Sequence, residues 1–152
     1  MSIVNKPTTL VVPYGSVEYR AALVLRDRIL RKPLGLRFTD AEMAQDKSDY
    51  HFVVKHENNV IGCLILTPHD DASIKMRQVA VAEHMQGQGI GKMLVRDAEL
   101  FALERGFDLM YCNARDTAVV FYEGLGYSKV GEPFVHVKVI HWRMEKQLTP
   151  SG

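Results

Sequence analysis

Between Gln86 and Leu94 the chain reads QGQGIGKML. The strand-like run SIKMRQVAVA lies just before it, and a helical pattern follows at once. A strand that feeds a helix through a glycine loop commits the chain to packing a helix on a sheet. It also limits what the loop can do. Glycine adopts positive φ freely and lets the backbone come close to a partner. The start of a helix adds about half a positive charge and four N–H groups without helical partners. A diphosphate satisfies both. A glycine turn that only caps the helix is the plainer account of the same residues.

The elements around the loop follow from periodicity. TTLVVPYG predicts a first strand. From Ser16, a plausible N-cap, to about Leu30, the recurrence of Val17, Ala21, Val24, Leu25 and Ile29 predicts a helix that buries those residues. RKPLGLRFTDAEMAQDK reads as a loop with a turn of helix near Asp40 to Gln45. DYHFVVKH and VIGCLILT form a hairpin around ENN. After the glycine loop, Ile90, Leu94, Ala98, Phe101 and Ala102 share one helical face, while Lys92, Arg96, Asp97, Glu99 and Arg105 face water. Gly106 ends that helix. DLMYCNA is a strand and RDTAVVFYEGLG a short helix. YSKVG and FVHVKVIHWRME read as closing strands, the last with Val135, Val137, Val139 and His141 on one face. The order gives one α/β domain over residues 1–152, with a mostly antiparallel front half and a strand–helix–strand unit within it.

Composition narrows the function. A net charge of +1 leaves no broad footprint for nucleic acid or an anionic membrane. No apolar run has the length of a membrane span. The start, MSIVNKPTTL, lacks a basic segment followed by an apolar block, so no signal peptide is expected. Cys63 and Cys112 sit in apolar runs and read as buried free thiols, which points to the cytoplasm. Neither has a partner at metal-ligand spacing, and no metal is expected. His69, Asp70 and Asp71 read as a polar turn rather than a ligand cluster.

Three phosphate-loop patterns can be tested. GxxxxGK[ST] fails, because Gln86 stands five residues before Gly91 and Met93 follows Lys92. GxGxxG fails at Lys92, its third glycine position. Gln/Arg-x-x-Gly-x-Gly/Ala is matched completely by Gln86, Gly89 and Gly91. This last pattern is the signature of the Gcn5-related N-acetyltransferases (GNAT). RQVAVAEHMQGQGIGKMLVRDAELFALERG resembles that family's central strand, loop and helix, and NARDTAVVFYEGLGY resembles the segment after it. GEPFVHVKVIHWRMEKQL resembles the end of a subgroup of predicted acyltransferases in which a Phe precedes a His-x-x-Met, and RDRILRKPLGL resembles the same subgroup's first-helix end.

The resemblance implies a mixed, twisted, mostly antiparallel sheet with helices on both faces, and acetyl-CoA as cosubstrate. It implies that Gln86, Gly87, Gln88, Gly89, Ile90, Gly91 and Lys92 hold the pyrophosphate. Val79, Ala80 and Val81 would pair with the pantetheine arm as an added strand, with the Val81 N–H on the thioester carbonyl. Asn113 would touch the cofactor from the next strand. Acetyl transfer to an amine needs the amine neutral and the leaving thiolate protonated. Tyr122 sits where the family often places the acid, and packing between helix and sheet is its alternative role. His141, of the His-x-x-Met, has the right ordinary pKa for a base, although a core histidine bonded to backbone fits equally. Lys75 stands where some relatives carry a glutamate base, so that role is absent. Glu83 and His84 read as solvated. The expected reaction is direct attack by a primary amine, on a small molecule or peptide, in a ternary complex. A non-catalytic acyl-CoA-binding regulator on the same fold is the alternative. The last strand leaves a homodimer open.

Overall fold

The computed structural model describes residues 6–149. The first five residues, on which the signal-peptide reading partly rests, lie outside the described ones. By contacts the chain divides into two compact units, Met1–Thr67 with Gln78–Ala98, and Pro68–Arg77 with Glu99–Gly152. Two strands and one helix have residues in both.

In the first unit, β1 (Thr8–Val12), β2 (Tyr50–His56) and β3 (Asn59–Pro68) are antiparallel neighbours, and β3 is followed by β4 (Ser73–Val81). The β2–β3 turn is only two residues, Glu57 and Asn58, with φ of 51° and 67°. That pair of positive φ values is the geometry that matches strand twist in a tight hairpin. The first helix, α1 (Val17–Arg26), is capped as expected, the Ser16 side chain accepting from the Tyr19 N–H at 3.1 Å. It continues as a π-helical turn through Arg31. A short helix, α2 (Asp40–Ala44), carries a full capping box between Thr39 and Glu42.

The buried face of α1 shares only Leu25 with the predicted one. Val17 and Val24 are 76% and 64% exposed, whereas Tyr19, Ala22, Leu25 and Arg26 are buried. A carboxylate moved the face: Asp46 accepts from Arg26 Nη1 and from the Tyr19 hydroxyl, each at 2.9 Å. Arg26 also lies 4.7 Å from the Phe38 ring centroid. A guanidinium paired in this way can be buried where a lone one could not.

In the second unit the strand order is β4, β5 (Leu109–Arg115), β7 (Val139–Gln147), β6 (Ser128–His136). The β4–β5 pairing is parallel and covers Ser73–Lys75 against Leu109–Tyr111; the others are antiparallel. Helix α3 (Ile90–Glu104) enters this unit at Glu99, and α4 (Val119–Gly124) follows a 3-10 turn at Asp116–Ala118. Gly106, at φ 89°, terminates α3 as expected.

Two expectations fail here. FVHVKVIHWRME is not one strand but parts of β6 and β7, joined by a turn at Val137 and Lys138 with φ of 49° and 66°. Val135 therefore faces Ile140 across a hairpin and does not continue into Val139. The segment carries no glycine or proline to reveal that turn. Glu99 does not face water either. It is 8% exposed, accepting from the Tyr127 hydroxyl at 2.7 Å and from Lys146 Nζ at 3.0 Å. Its partners lie 28 and 47 residues away, beyond the reach of helical periodicity.

Candidate active site

The glycine loop is built from its two ends. At one end Gln78 takes φ 57° inside β4, the backbone irregularity a bulge would produce. This explains why Met76, Val79 and Val81 alternate only in part, since a bulge shifts the side-chain phase by one. Ala80 is buried, and Val79 and Val81 are half-buried. The ladder with β5 ends at Lys75, while β4 runs on to Val81.

At the other end, Ile90 roots α3 on β3. A Cβ at Gly62 would stand 3.2 Å from Ile90 Cγ2 and 3.6 Å from the Ala80 carbonyl, so glycine lets helix and strand approach. Between these ends Gly87 and Gly89 adopt φ of 79° and 82°. A Cβ on either would meet no protein atom within 4 Å, which leaves room beside the backbone. The first i→i−4 bond runs from the Met93 N–H to the Gly89 carbonyl, so the N–H groups of Ile90, Gly91 and Lys92 precede the helical ladder. Lys92 is exposed in this first turn. The donors and the open cradle fit a diphosphate.

Two of the predicted ligands use their side chains otherwise. Gln86 donates its amide to the Val81 carbonyl at 2.9 Å, and Gln88 donates to the His84 carbonyl at 3.2 Å. Both brace the loop, which leaves the anion to backbone groups. Glu83 and His84 are exposed, as expected, and Glu83 pairs with Arg28 at 3.1 Å. A cleft of about 370 Å³ opens beside α1, lined by Leu23, Asp27, Arg28, Phe38 and Met43 among others.

The second unit holds the titratable candidates. Tyr122 is 6% exposed, and burial followed by the nearby Cys112 thiol pushes its phenol above the ordinary range. It packs edge-on to Phe121 and Tyr127, at 5.0 and 5.7 Å between ring centroids. Burial pushes the Cys112 thiol up to about 12, with Lys75 acting in the opposite direction. His141 is 7% exposed, stacked on Phe134 at 5.8 Å and edge-on to His136 at 5.5 Å. Its Nδ1 lies 2.9 Å from the Val139 carbonyl, which makes that nitrogen the N–H donor and leaves Nε2 as acceptor. Burial is the largest cause holding its pKa below the ordinary value. Asn113 is exposed on β5. Among the described residues no three His, Cys, Asp or Glu are grouped to hold a metal, and no helix is long and apolar enough to cross a membrane.

Residues 47–129 match the family model described as an acetyltransferase (GNAT) domain, a span that contains β2 through α4 and the whole glycine loop. The chain belongs to the GNAT family. A human protein named N-acetyltransferase 8B is 29% identical over 127 residues, which cover 71% of this chain and 56% of the human one. The chain thus spans little more than half of that relative's length. A Bacillus subtilis protein named an uncharacterized N-acetyltransferase is 26% identical over 116 residues, covering 72% of this chain and 78% of its own. Among solved structures, a candidate N-acetyltransferase from Lactobacillus plantarum superimposes with a TM-score of 0.85 at 26% identity, over 95% of this chain and 100% of that one. A GNAT acetyltransferase from Elizabethkingia anophelis, solved with acetyl-CoA bound, gives 0.73 at 21% identity over 93% and 98%, a likeness of fold. The mixed, mostly antiparallel seven-stranded GNAT architecture is as expected.

Proposed function

We propose that this GNAT protein is an N-acetyltransferase that moves the acetyl group of acetyl-CoA to a primary amine by direct attack in a ternary complex. The observation that carries the reading is the loop: two glycines at positive φ, with open space beside them and braced by Gln86 and Gln88, lead into the N–H groups of α3 that precede its helical ladder. The pyrophosphate is assigned to the N–H groups from Gly87 to Lys92. The pantetheine is assigned to Val79 and Ala80, and the thioester carbonyl to the Val81 N–H.

In the reaction the amine lone pair forms the C–N bond, the C–S bond breaks, and the thiolate takes a proton. Tyr122 is assigned as that donor, because its buried phenol stays protonated through the working range. His141 is assigned to accept the ammonium proton at Nε2, which its Nδ1 contact leaves unprotonated. The high pKa of Cys112 supports direct transfer, since a neutral thiol is a poor nucleophile for an acyl-enzyme. The His141–Met144 spacing supports membership of the predicted acyltransferase subgroup named above.

Tyr122→Phe is the test. Thiol release from acetyl-CoA with an amine library should fall by about 10²-fold or more, the range for loss of a general acid. The acetyl-CoA Kd should stay within about twofold, a margin of roughly 0.4 kcal/mol. Unchanged turnover would remove Tyr122 from the chemistry. An absence of turnover in the native protein with every amine would favour a binding protein.

A further inference from the structure

The acceptor is the part of the reaction that no motif describes, and the second unit holds a feature that bears on it. Register places residues of adjacent strands on a common face. Lys75 pairs with Tyr111, Asn113 with Arg143 and Arg115 with His141. Alternation adds Arg77 from β4 and Glu145 from β7. That face therefore carries Lys75, Arg77, Arg115 and Arg143 together with Glu145, which accepts from Arg143 Nε at 2.8 Å. The opposite face carries Cys112, Met144 and Lys146, and Lys146 reaches Glu99 of α3.

The cations are arranged rather than scattered. The Arg143 guanidinium lies 4.0 Å over the Tyr111 ring, and His69 closes that ring from the edge at 5.8 Å. Stacking fixes the plane of the guanidinium and reduces the entropy it loses on gripping an anion. Lys75 is half-buried beside it. Burial, then the like charges of Arg77 and Arg143, draw the Lys75 ammonium below its usual range. A cation held among cations is stabilised by an arriving anion. Like charges act on both neighbours across this face: Arg77 and Arg143 on Lys75, and Arg115 on His141. Asn113 and His141, both assigned to the reaction, share the face.

We propose that the acceptor is a primary amine that also carries a carboxylate or phosphate group, and that Lys75 and Arg143 hold this anion on their shared face of β4, β5 and β7. The inference rests on the acetyl-transfer reading. It differs from what the net charge of +1 suggests, because the charge that matters is local. An ordinary alkylamine arrives as a cation and is repelled by this face. An amine bearing an anion docks by that end. The same cations then favour the neutral, attacking form of its amine.

The test compares ω-amino carboxylic acids of two to six carbons with alkylamines of matched length, and O-phosphoethanolamine with ethanolamine, by kcat/KM at fixed acetyl-CoA. The acid-bearing member should lead by about tenfold or more, mainly through KM, as a charge-assisted contact implies. The carboxylate and phosphate pairs show which anion is preferred. In Lys75→Met and Arg143→Met the ratio should fall toward one. Lys75→Arg should keep it, which a purely structural role would not require. Equal or better use of the plain amines, or a ratio that survives both Met variants, overturns the proposal. Acetyl-CoA binding is followed alongside by thermal shift. Turnover without anion preference defeats this inference alone, whereas loss of the acetyl-CoA shift, or a shift with no amine acetylated, defeats the enzyme reading and this inference with it.

Discussion

Gly89 and Gly15 provide a matched pair for testing the loop. Both lie in the first unit, with φ of 82° and 80°, and at neither would a Cβ meet a protein atom within 4 Å. Alanine at either site bears the same left-handed backbone penalty, about 1–2 kcal/mol. For a chain of this size that lowers Tm by about 2–8 °C. The two sites differ only in what surrounds them. At Gly89 the new methyl enters the cradle assigned to the pyrophosphate, and relaxation of the turn displaces N–H donors at the start of α3. Loss of one charge-assisted hydrogen bond costs about 1.5–3 kcal/mol, or roughly 10- to 100-fold in Kd. Gly89→Ala should therefore weaken acetyl-CoA binding by at least tenfold in titration calorimetry. Gly15→Ala should lose similar stability and keep its affinity within about twofold, roughly 0.4 kcal/mol. Equal affinity losses would show that strain alone explains the effect. No loss at Gly89 would refute the pyrophosphate assignment.

The remaining predictions concern single groups. Asp46→Ala strips the carboxylate that accepts from buried Arg26 and from the Tyr19 hydroxyl, and should destabilise the protein by about 3–5 kcal/mol in urea titration; a loss below about 1 kcal/mol would show that the network is dispensable. Bonds from Arg31, with help from Thr39, hold the Glu42 carboxyl at about 2 against an ordinary 4.5. Its contribution to stability is thus complete above pH 4.5 and is lost as pH falls toward 2. Glu42→Gln should flatten that part of the stability profile, and an unchanged acid limb would remove the pair from the account. Because His141 is held below its ordinary pKa of 6.5, the acidic limb of kcat/KM should fall below that pH and vanish in His141→Gln; a limb that persists in the variant points to another base. Cys112→Ala should keep turnover, and a dead but folded variant would argue for an acyl-enzyme.

Local signals explain what could be read before the structure. The Ser16 cap, the Gly106 stop and the glycine loop are each determined within a few residues, and each stands where the pattern puts it. What escaped depends on distant partners. Glu99 read as a solvent residue, but Tyr127 and Lys146 fold against it, and Asp46, the partner of Arg26, is equally distant in sequence from any helical pattern. The irregularity at Gln78 left a trace as broken alternation, but its positive φ had no glycine to announce it. The Val137–Lys138 turn was hidden for the same reason. Lys75 was noted only as a missing glutamate. Its company of Arg77 and Arg143 is a property of strand register, which periodicity in a single strand does not contain.

The central claim is that the loop holds the pyrophosphate of CoA, and thermal unfolding of the whole chain with acetyl-CoA, CoA, NAD or ATP tests it most directly. A ligand at about 100 times its Kd adds about 2.7 kcal/mol. For a protein of this size that raises Tm by about 5–10 °C. A rise of that order with acetyl-CoA and CoA, and none with NAD or ATP, is the predicted result. No rise with either CoA species would contradict the account.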